Sequence, residues 1–227
     1  MTRTERRALL VLRPELGASA TAAAADALGF VAIVAPLFTV RPLDWPAPAT
    51  RPQAVLMTSA NAARHGGSGL AALIDLPLYA VGDATAAAAR AAGFTKIHIG
   101  HEDVEAIVAG ARRDGVADLL HLAGRDYRAP MAAQLPIERR LVYAADAVTS
   151  LPEPARAALP GAIALLHSPR AATLFATFVD PSRLSIAAIS PATRDAAGDG
   201  WRTVAVADRP TDASLLAAAA KLCDHDG

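Results

Sequence analysis

Four hydroxyl residues stand where short apolar runs give way to alanine-rich segments. Ser59 follows Val55-Leu-Met-Thr58, and Ser168 follows Ala164-Leu-Leu-His167. Thr85 lies 26 residues beyond Ser59, and Thr193 lies 25 beyond Ser168. Each threonine again comes just after an apolar run, with Gly82 or Ser190 marking the break. The first turn of a helix has unpaired N–H donors and a partial positive charge. Such junctions accept carboxylates or phosphates without a cationic side chain. Ser and Thr at these places also serve as ordinary N-caps, and the sequence is compatible with both uses. The matching order and spacing mark an internal repeat.

Other residues with chemical potential surround these junctions. Arg13, Arg64, Arg125, Arg128 and Arg170 follow apolar runs or begin helical ones, where each can meet an anion or remain a solvated surface charge. Tyr143 lies in the long extended run Leu141–Val148. A phenol there can donate a hydrogen bond to a leaving oxygen, or it can simply cover the chain as a packed aromatic. Gly66-Gly-Ser-Gly69 lacks the Lys-Ser/Thr of a phosphate loop and reads as a flexible loop. Neither Gly-x-Gly-x-x-Gly nor Gly-x-Ser-x-Gly occurs, so dinucleotide binding and a serine-hydrolase elbow have no support. His98, His101, Glu102 and Asp103 imitate a metal cluster, but their spacing fits no single helix face, and no metal is expected. Cys223 is the sole cysteine, which excludes an intrachain disulfide and a cysteine-based zinc site.

The elements that must position these residues alternate regularly. Strands are predicted at 8–12, 31–35, 54–57, 78–81, 96–99, 118–122, 139–144, 163–166, 187–189 and 203–206. Helices are predicted at 19–28, 61–73, 84–92, 104–113, 130–135, 154–158, 170–178, 192–197 and 212–222. This alternation reads as parallel α/β sheet, with strands buried on both faces. Two extended segments break the rhythm, at 37–42 and 141–149. Paired as a two-stranded linker, they would enclose 43–140 as one lobe. The other lobe would be discontinuous, made of 1–36 and 150–227. Ligands bind beyond the carboxyl ends of parallel strands, so facing lobes would form a cleft with N–H groups on both walls. The ligand expected there carries several carboxylates or phosphates.

Composition narrows the alternatives. The chain has 227 residues, 53% of them hydrophobic, which suffices for two lobes of roughly 100 residues and rules out disorder as the main state. Its 22 basic and 22 acidic residues cancel, so no overall field draws it to nucleic acid. No apolar run approaches the roughly 20 residues of a membrane span, and no targeting segment is visible. The expected place is the cytoplasm. Nearly all positive charge is arginine, Lys96 and Lys221 being the only lysines.

Taken in order, the motifs resemble the uroporphyrinogen-III synthase family over nearly the whole chain. They are Leu12-Arg-Pro14, Gly29 and Pro36, Thr58-Ser-Ala-Asn-Ala62, Val81-Gly-Asp-Ala-Thr-Ala86, Val142-Tyr143, Ser168-Pro169, Ile189-Ser-Pro-Ala-Thr193 and Asp208-Arg-Pro-Thr211. The resemblance implies an α/β fold of two similar parallel-sheet lobes, Rossmann- or flavodoxin-like, joined by a two-stranded β linker. It implies a cyclising hydro-lyase acting on hydroxymethylbilane, a linear tetrapyrrole with eight carboxylates. The enzyme removes water, closes the ring and inverts ring D, with no cofactor. By the same resemblance Tyr143 assists departure of the hydroxyl group. Arg13, Ser59, Ala60, Asn61, Thr85, Arg125, Ser168 and Thr193 are the expected substrate-binding positions. A monomer is expected, in transient contact at most with hydroxymethylbilane synthase, and with neither nucleic acid nor membrane as partner. The sequence departs from the family pattern at His167, where Thr or Ser is usual, and at Ser190, where Gly is usual. A two-lobed protein that binds a tetrapyrrole or other polycarboxylate without chemistry is the competing expectation.

Overall fold

A computed structural model describes residues 7–101, 103–126 and 135–224. Contacts divide the chain into two compact units, Met1–Thr39 with Ala147–Gly227, and Val40–Asp146.

The first unit holds a five-stranded parallel sheet. Its strands are β1 (Leu9–Val11), β2 (Ala32–Val34), β9 (Ile163–Leu166), β10 (Ser185–Ala188) and β11 (Thr203–Val206). They lie in the order β11-β10-β9-β1-β2. β1, β9 and β10 are fully buried, as strands covered on both faces must be. Helices α1 (Gly17–Ala27) and α8 (Asp212–Asp224) bring Ala18, Ala25, Leu215, Leu216 and Ala219 against Leu9, Val11, Ile163 and Leu165. Helices α6 (Pro169–Ala176) and α7 (Pro191–Ala197) pack on each other and on β9 and β10, and α5 (Glu153–Ala158) packs on β2.

The second unit holds the parallel strands β4 (Ala54–Met57), β5 (Leu78–Val81), β6 (Ile97–Gly100) and β7 (Leu119–Gly124), with β8 (Ile137–Ala147) parallel to β7. The sheet order is β3-β8-β7-β4-β5-β6, where β3 is Phe38–Pro42. The period-2 alternation of β4 sorts its side chains between two layers. Val55 and Met57 meet α2 (Ala60–His65) and α3 (Asp83–Ala91) on one face, while Ala54 and Leu56 meet α4 (Val104–Arg113) on the other. Beside β8, β3 runs the opposite way: the Leu43 N–H donates to the Val142 carbonyl and the Val148 N–H to the Leu37 carbonyl, each at 3.0 Å. The boundaries between the units fall within these two strands.

Two expectations need correction. The helix predicted at 61–73 is α2 followed by a separate 3-10 helix, Gly67–Ala72. Gly67 takes φ +64, which ends the α geometry. The stretch read as a flexible loop is therefore ordered, and Trp45 holds it. Trp45 Nε1 donates to the Gly66 carbonyl at 2.8 Å, and its ring lies where a Cβ on Gly69 would be, 2.5 Å from Cζ2. The helix predicted at 130–135 lies almost wholly outside the described residues, as do Arg128 and Glu102.

Candidate functional site

The two sheets share one arrangement. Matching β9-β10-β11 to β4-β5-β6 puts β1 in the place of β7 and β2 in the place of β8. In each sheet the strand order reverses at one point, between β1 and β9 in the first unit and between β7 and β4 in the second. Ligands of open α/β sheets bind at this switch point, outside the carboxyl ends of the strands. Ser168 and Arg13 flank it in the first unit. Ser59 and Arg125 flank it in the second.

The serines are formed as helix caps. Ser59 Oγ accepts from the Asn61 N–H, and Ser168 Oγ accepts from the Ala171 N–H, each at 3.2 Å. Both are partly exposed, as are Ala60 and Asn61, so the start of α2 opens outward. The threonines sit deeper. Thr85 is 4% exposed, and Thr193 is fully buried with its hydroxyl 3.0 Å from Ser190 Oγ. At Ser190 the backbone is extended, φ −158, so serine fits there without strain and caps α7 through the Thr193 N–H at 3.2 Å. The equivalent Gly82 has φ +80 and ψ 156, a conformation essentially confined to glycine.

Each switch-point arginine is fixed by an aspartate that no local pattern pairs with it. Arg13 Nη1 donates to both oxygens of Asp212, at 2.9 and 3.0 Å, and to Thr21 Oγ1 at 3.3 Å. The Thr21 hydroxyl in turn donates to Asp212 Oδ2 at 2.6 Å. His167 Nε2 lies 3.5 Å from Asp212 Oδ1. The nearby imidazole holds the Asp212 carboxyl down to about 2, helped by Thr21 and Arg13 against the opposing effect of partial burial. In the second unit Asp146 accepts from Arg125 Nη1 at 3.1 Å and from Arg41 Nε at 2.5 Å. Those two guanidiniums, Arg41 first, keep the Asp146 carboxyl below its usual range.

Tyr143 lies beside the second switch point. A register shift between Ala123 and Gly124 pairs Gly124 with Tyr143 and leaves Val142 as the extra residue. A β-bulge of this kind re-aims the side chains around it. The Tyr143 ring is half-buried on the α2–α3 face, 6.4 Å from the His65 ring, and its carbonyl accepts from the Arg125 N–H at 3.0 Å. Its hydroxyl has no hydrogen-bond partner among the described residues. Behind it, on β7, His121 is buried. Its Nδ1 lies 3.4 Å from Arg139 Nε and its Nε2 lies 3.3 Å from Thr58 Oγ1. With Arg139 donating, Nδ1 accepts and the proton sits on Nε2. Burial, then the Arg139 charge, pushes this imidazole down to about 4.

Several candidates lie elsewhere. Arg170 stacks over Phe38, 4.3 Å from the ring centroid. His98 stacks on Tyr79 and lies 3.6 Å from Asp114, while His101 lies 3.9 Å from Asp83. No group of three or more His, Cys, Asp or Glu among the described residues is placed to hold a metal. A hollow of about 580 Å³ runs along β6 and α4, lined by Tyr79, His98, His101 and Asp114, but it is not at the switch point. Among the described residues, no helix is long and apolar enough to cross a membrane. Sequence reasoning missed Thr21, Arg41, Gly124, Asp146 and Asp212. Only Gly124, a glycine ending an apolar run, carries a local signal.

Known proteins supply the comparison. The sequence model of the family described as HEM4, uroporphyrinogen-III synthase HemD, matches residues 19–217. No curated protein matches the chain. Among solved structures, the uroporphyrinogen-III synthetase of Helicobacter pylori 26695 is similar at a TM-score of 0.69 and 15% identity, covering 96% of this chain and 99% of that one. A mutant uroporphyrinogen III synthase of Thermus thermophilus is similar at a TM-score of 0.52 and 17% identity, covering 98% and 100%. These likenesses speak for the fold. The match over 19–217 speaks for descent, and by it the chain belongs to the uroporphyrinogen-III synthase family.

Proposed function

We propose that this chain is a cyclising lyase that converts hydroxymethylbilane to uroporphyrinogen III. The carrying observation is the Tyr143 hydroxyl, unpartnered among the described residues and set by a bulge next to the switch-point residue Arg125. Membership of the family supports the reaction, and the position of Tyr143 beside Arg125 supports reading it as the acid. The phenol donates a proton to the departing hydroxyl, which leaves as water while a pyrrole nitrogen of the bilane supplies the electron pair. Ring D then attacks the freed methylene through its substituted carbon to give a spirocyclic pyrrolenine. The bond from that carbon to the ring C methylene breaks, the free α-carbon of ring D captures that methylene, and loss of the proton there leaves the ring closed with ring D inverted.

The bilane can lose hydroxide and close without help, but then ring D is not inverted. The main task is therefore orientation, where positioning outweighs acid strength. The reading assigns that task to the strand-to-helix junctions at Ser59, Ala60, Asn61 and Thr85 and at Ser168 and Thr193, which offer N–H groups to carboxylates. Arg13 and Arg125 stand beside the two switch points, each held in place by an aspartate. The reading includes a cytoplasmic monomer that meets hydroxymethylbilane synthase only transiently. The test is a coupled assay in which hydroxymethylbilane is generated from porphobilinogen by its synthase with this protein present, and oxidised product isomers are separated. Predominantly type III product is expected. Type I alone from a folded sample would overturn the reading.

A further inference from the structure

His167 is the unexplained residue of the first unit. Its side chain is 6% exposed, and both ring nitrogens are buried without a hydrogen-bond partner among the described residues. A buried polar group left unsatisfied is costly, and each one in a folded protein calls for a reason. The imidazole sits immediately after β9, at the switch point, with Nε2 3.5 Å from Asp212 Oδ1. That separation, with the ring as oriented, is a contact and not a formed hydrogen bond. On its other side Asp212 binds only Nη1 of Arg13. Arg13 Nε and Nη2 have no partner among the described residues, and the side chain is one-third exposed.

We propose that Arg13, Asp212 and His167 form a proton-linked carboxylate subsite, in which a proton on His167 draws Asp212 toward the imidazole and leaves the Arg13 guanidinium to a carboxylate of the ligand. With His167 neutral, Arg13 and Asp212 cancel and the cluster has no net charge. With His167 protonated, one carboxylate lies between two cations and the cluster carries one positive charge. An anion then gains at Arg13, the exposed member, while the buried imidazole stays out of reach. Protonation and anion binding therefore favour each other by the same factor.

The surroundings leave the cluster to itself. Thr21 on α1 faces Asp212 but does not titrate. Glu15, in the β1–α1 turn, accepts from Ser19 at 2.7 Å. Arg170 on α6 lies over Phe38. Ahead of α8, Asp208 lies 4.0 Å from Lys221, and Arg209 is exposed without an ion pair to the cluster.

This inference rests on the substrate reading above, since a polycarboxylate is the ligand. The probe is uroporphyrin III, an oxidised octacarboxylate of the product skeleton, titrated into the full chain at pH 6, 7 and 8. The dissociation constant is expected to rise about five-fold from pH 6 to pH 8. His167→Gln is expected to flatten that rise to within about two-fold. Asp212→Asn is the second variant and unmasks Arg13, so it is expected to bind more tightly than the parent at pH 8; a merely structural aspartate would give the opposite. Binding with the same pH slope in the parent and His167→Gln, or weaker binding by folded Asp212→Asn at pH 8, would overturn the subsite while type III product formation still stood. Absence of uroporphyrin binding at every pH, together with type I product alone, would overturn both.

Discussion

Gly124 and Tyr143 face each other across β7 and β8 so closely that a Cβ on residue 124 would fall inside the phenol. It would meet the Tyr143 ring carbon Cζ and would lie 2.7 Å from the hydroxyl oxygen. The glycine therefore serves as a seat for the ring, and the bulge at Ala123/Gly124 brings the two into register. Gly124→Ala is expected to push the phenol aside and slow type III formation at least as much as loss of the hydroxyl does. Overpacking of this kind costs about 1–3 kcal/mol. The rate of type III formation, read beside urea unfolding, checks both parts. An undiminished rate would mean that the position of Tyr143 does not matter.

Tyr143→Phe keeps the ring and removes the proton donor. If orientation of the bilane is the larger task, this variant slows turnover substantially and still yields type III as the main isomer. The isomer ratio is the informative quantity. A shift toward type I would make Tyr143 a positioning group, and a rate equal to the parent would exclude it as the acid.

What the sequence revealed was local. The strands at 54–57, 78–81, 163–166 and 203–206 coincide with the observed β4, β5, β9 and β11, because short apolar runs between clear breaks have few other solutions. The caps at Ser59 and Ser168 were legible for the same reason. The break at Gly66–Gly67 was not, since apolar periodicity runs through it and Trp45, which fixes it, lies some 21 residues earlier. Thr85 and Thr193 stand at the expected junctions, but which way a hydroxyl turns depends on packing that spacing does not encode. Arg13 and Asp212 are 199 positions apart, and only the parallel order of β1 and β9 beneath α8 brings them together.

The equivalent positions Gly82 and Ser190 should respond oppositely to exchange. Gly82→Ser forces a side chain into φ +80, ψ 156, at a cost of about 1–3 kcal/mol. Ser190→Gly removes a cap from backbone that any residue adopts and should cost only a few tenths of a kcal/mol, whereas Ser190→Ala should cost about 1 kcal/mol. Urea unfolding of the three variants checks the order. Equal losses for Gly82→Ser and Ser190→Gly would contradict the backbone difference between the two junctions.

His121 ties stability to pH. Its folded-state value lies at about 4, below the ordinary 6.5, so the unfolded chain binds the proton more readily. The sign follows: the contribution is complete above pH 6.5 and is lost as pH falls toward 4. The full loss is about 3 kcal/mol for a buried group shifted this far. Protonation would also remove the Nδ1 lone pair that faces Arg139. Between about pH 7 and pH 4.5, above the range where Asp212 takes up its proton, the parent should therefore lose about 2–3 kcal/mol more than His121→Gln. Comparing the two slopes, and not the absolute stabilities, cancels the packing cost of the substitution and the contribution of His65, whose lowered value acts in the same direction. Parallel slopes would show that His121 takes up its second proton as readily in the folded chain as in the unfolded one, and burial beside Arg139 would then not be holding the imidazole neutral.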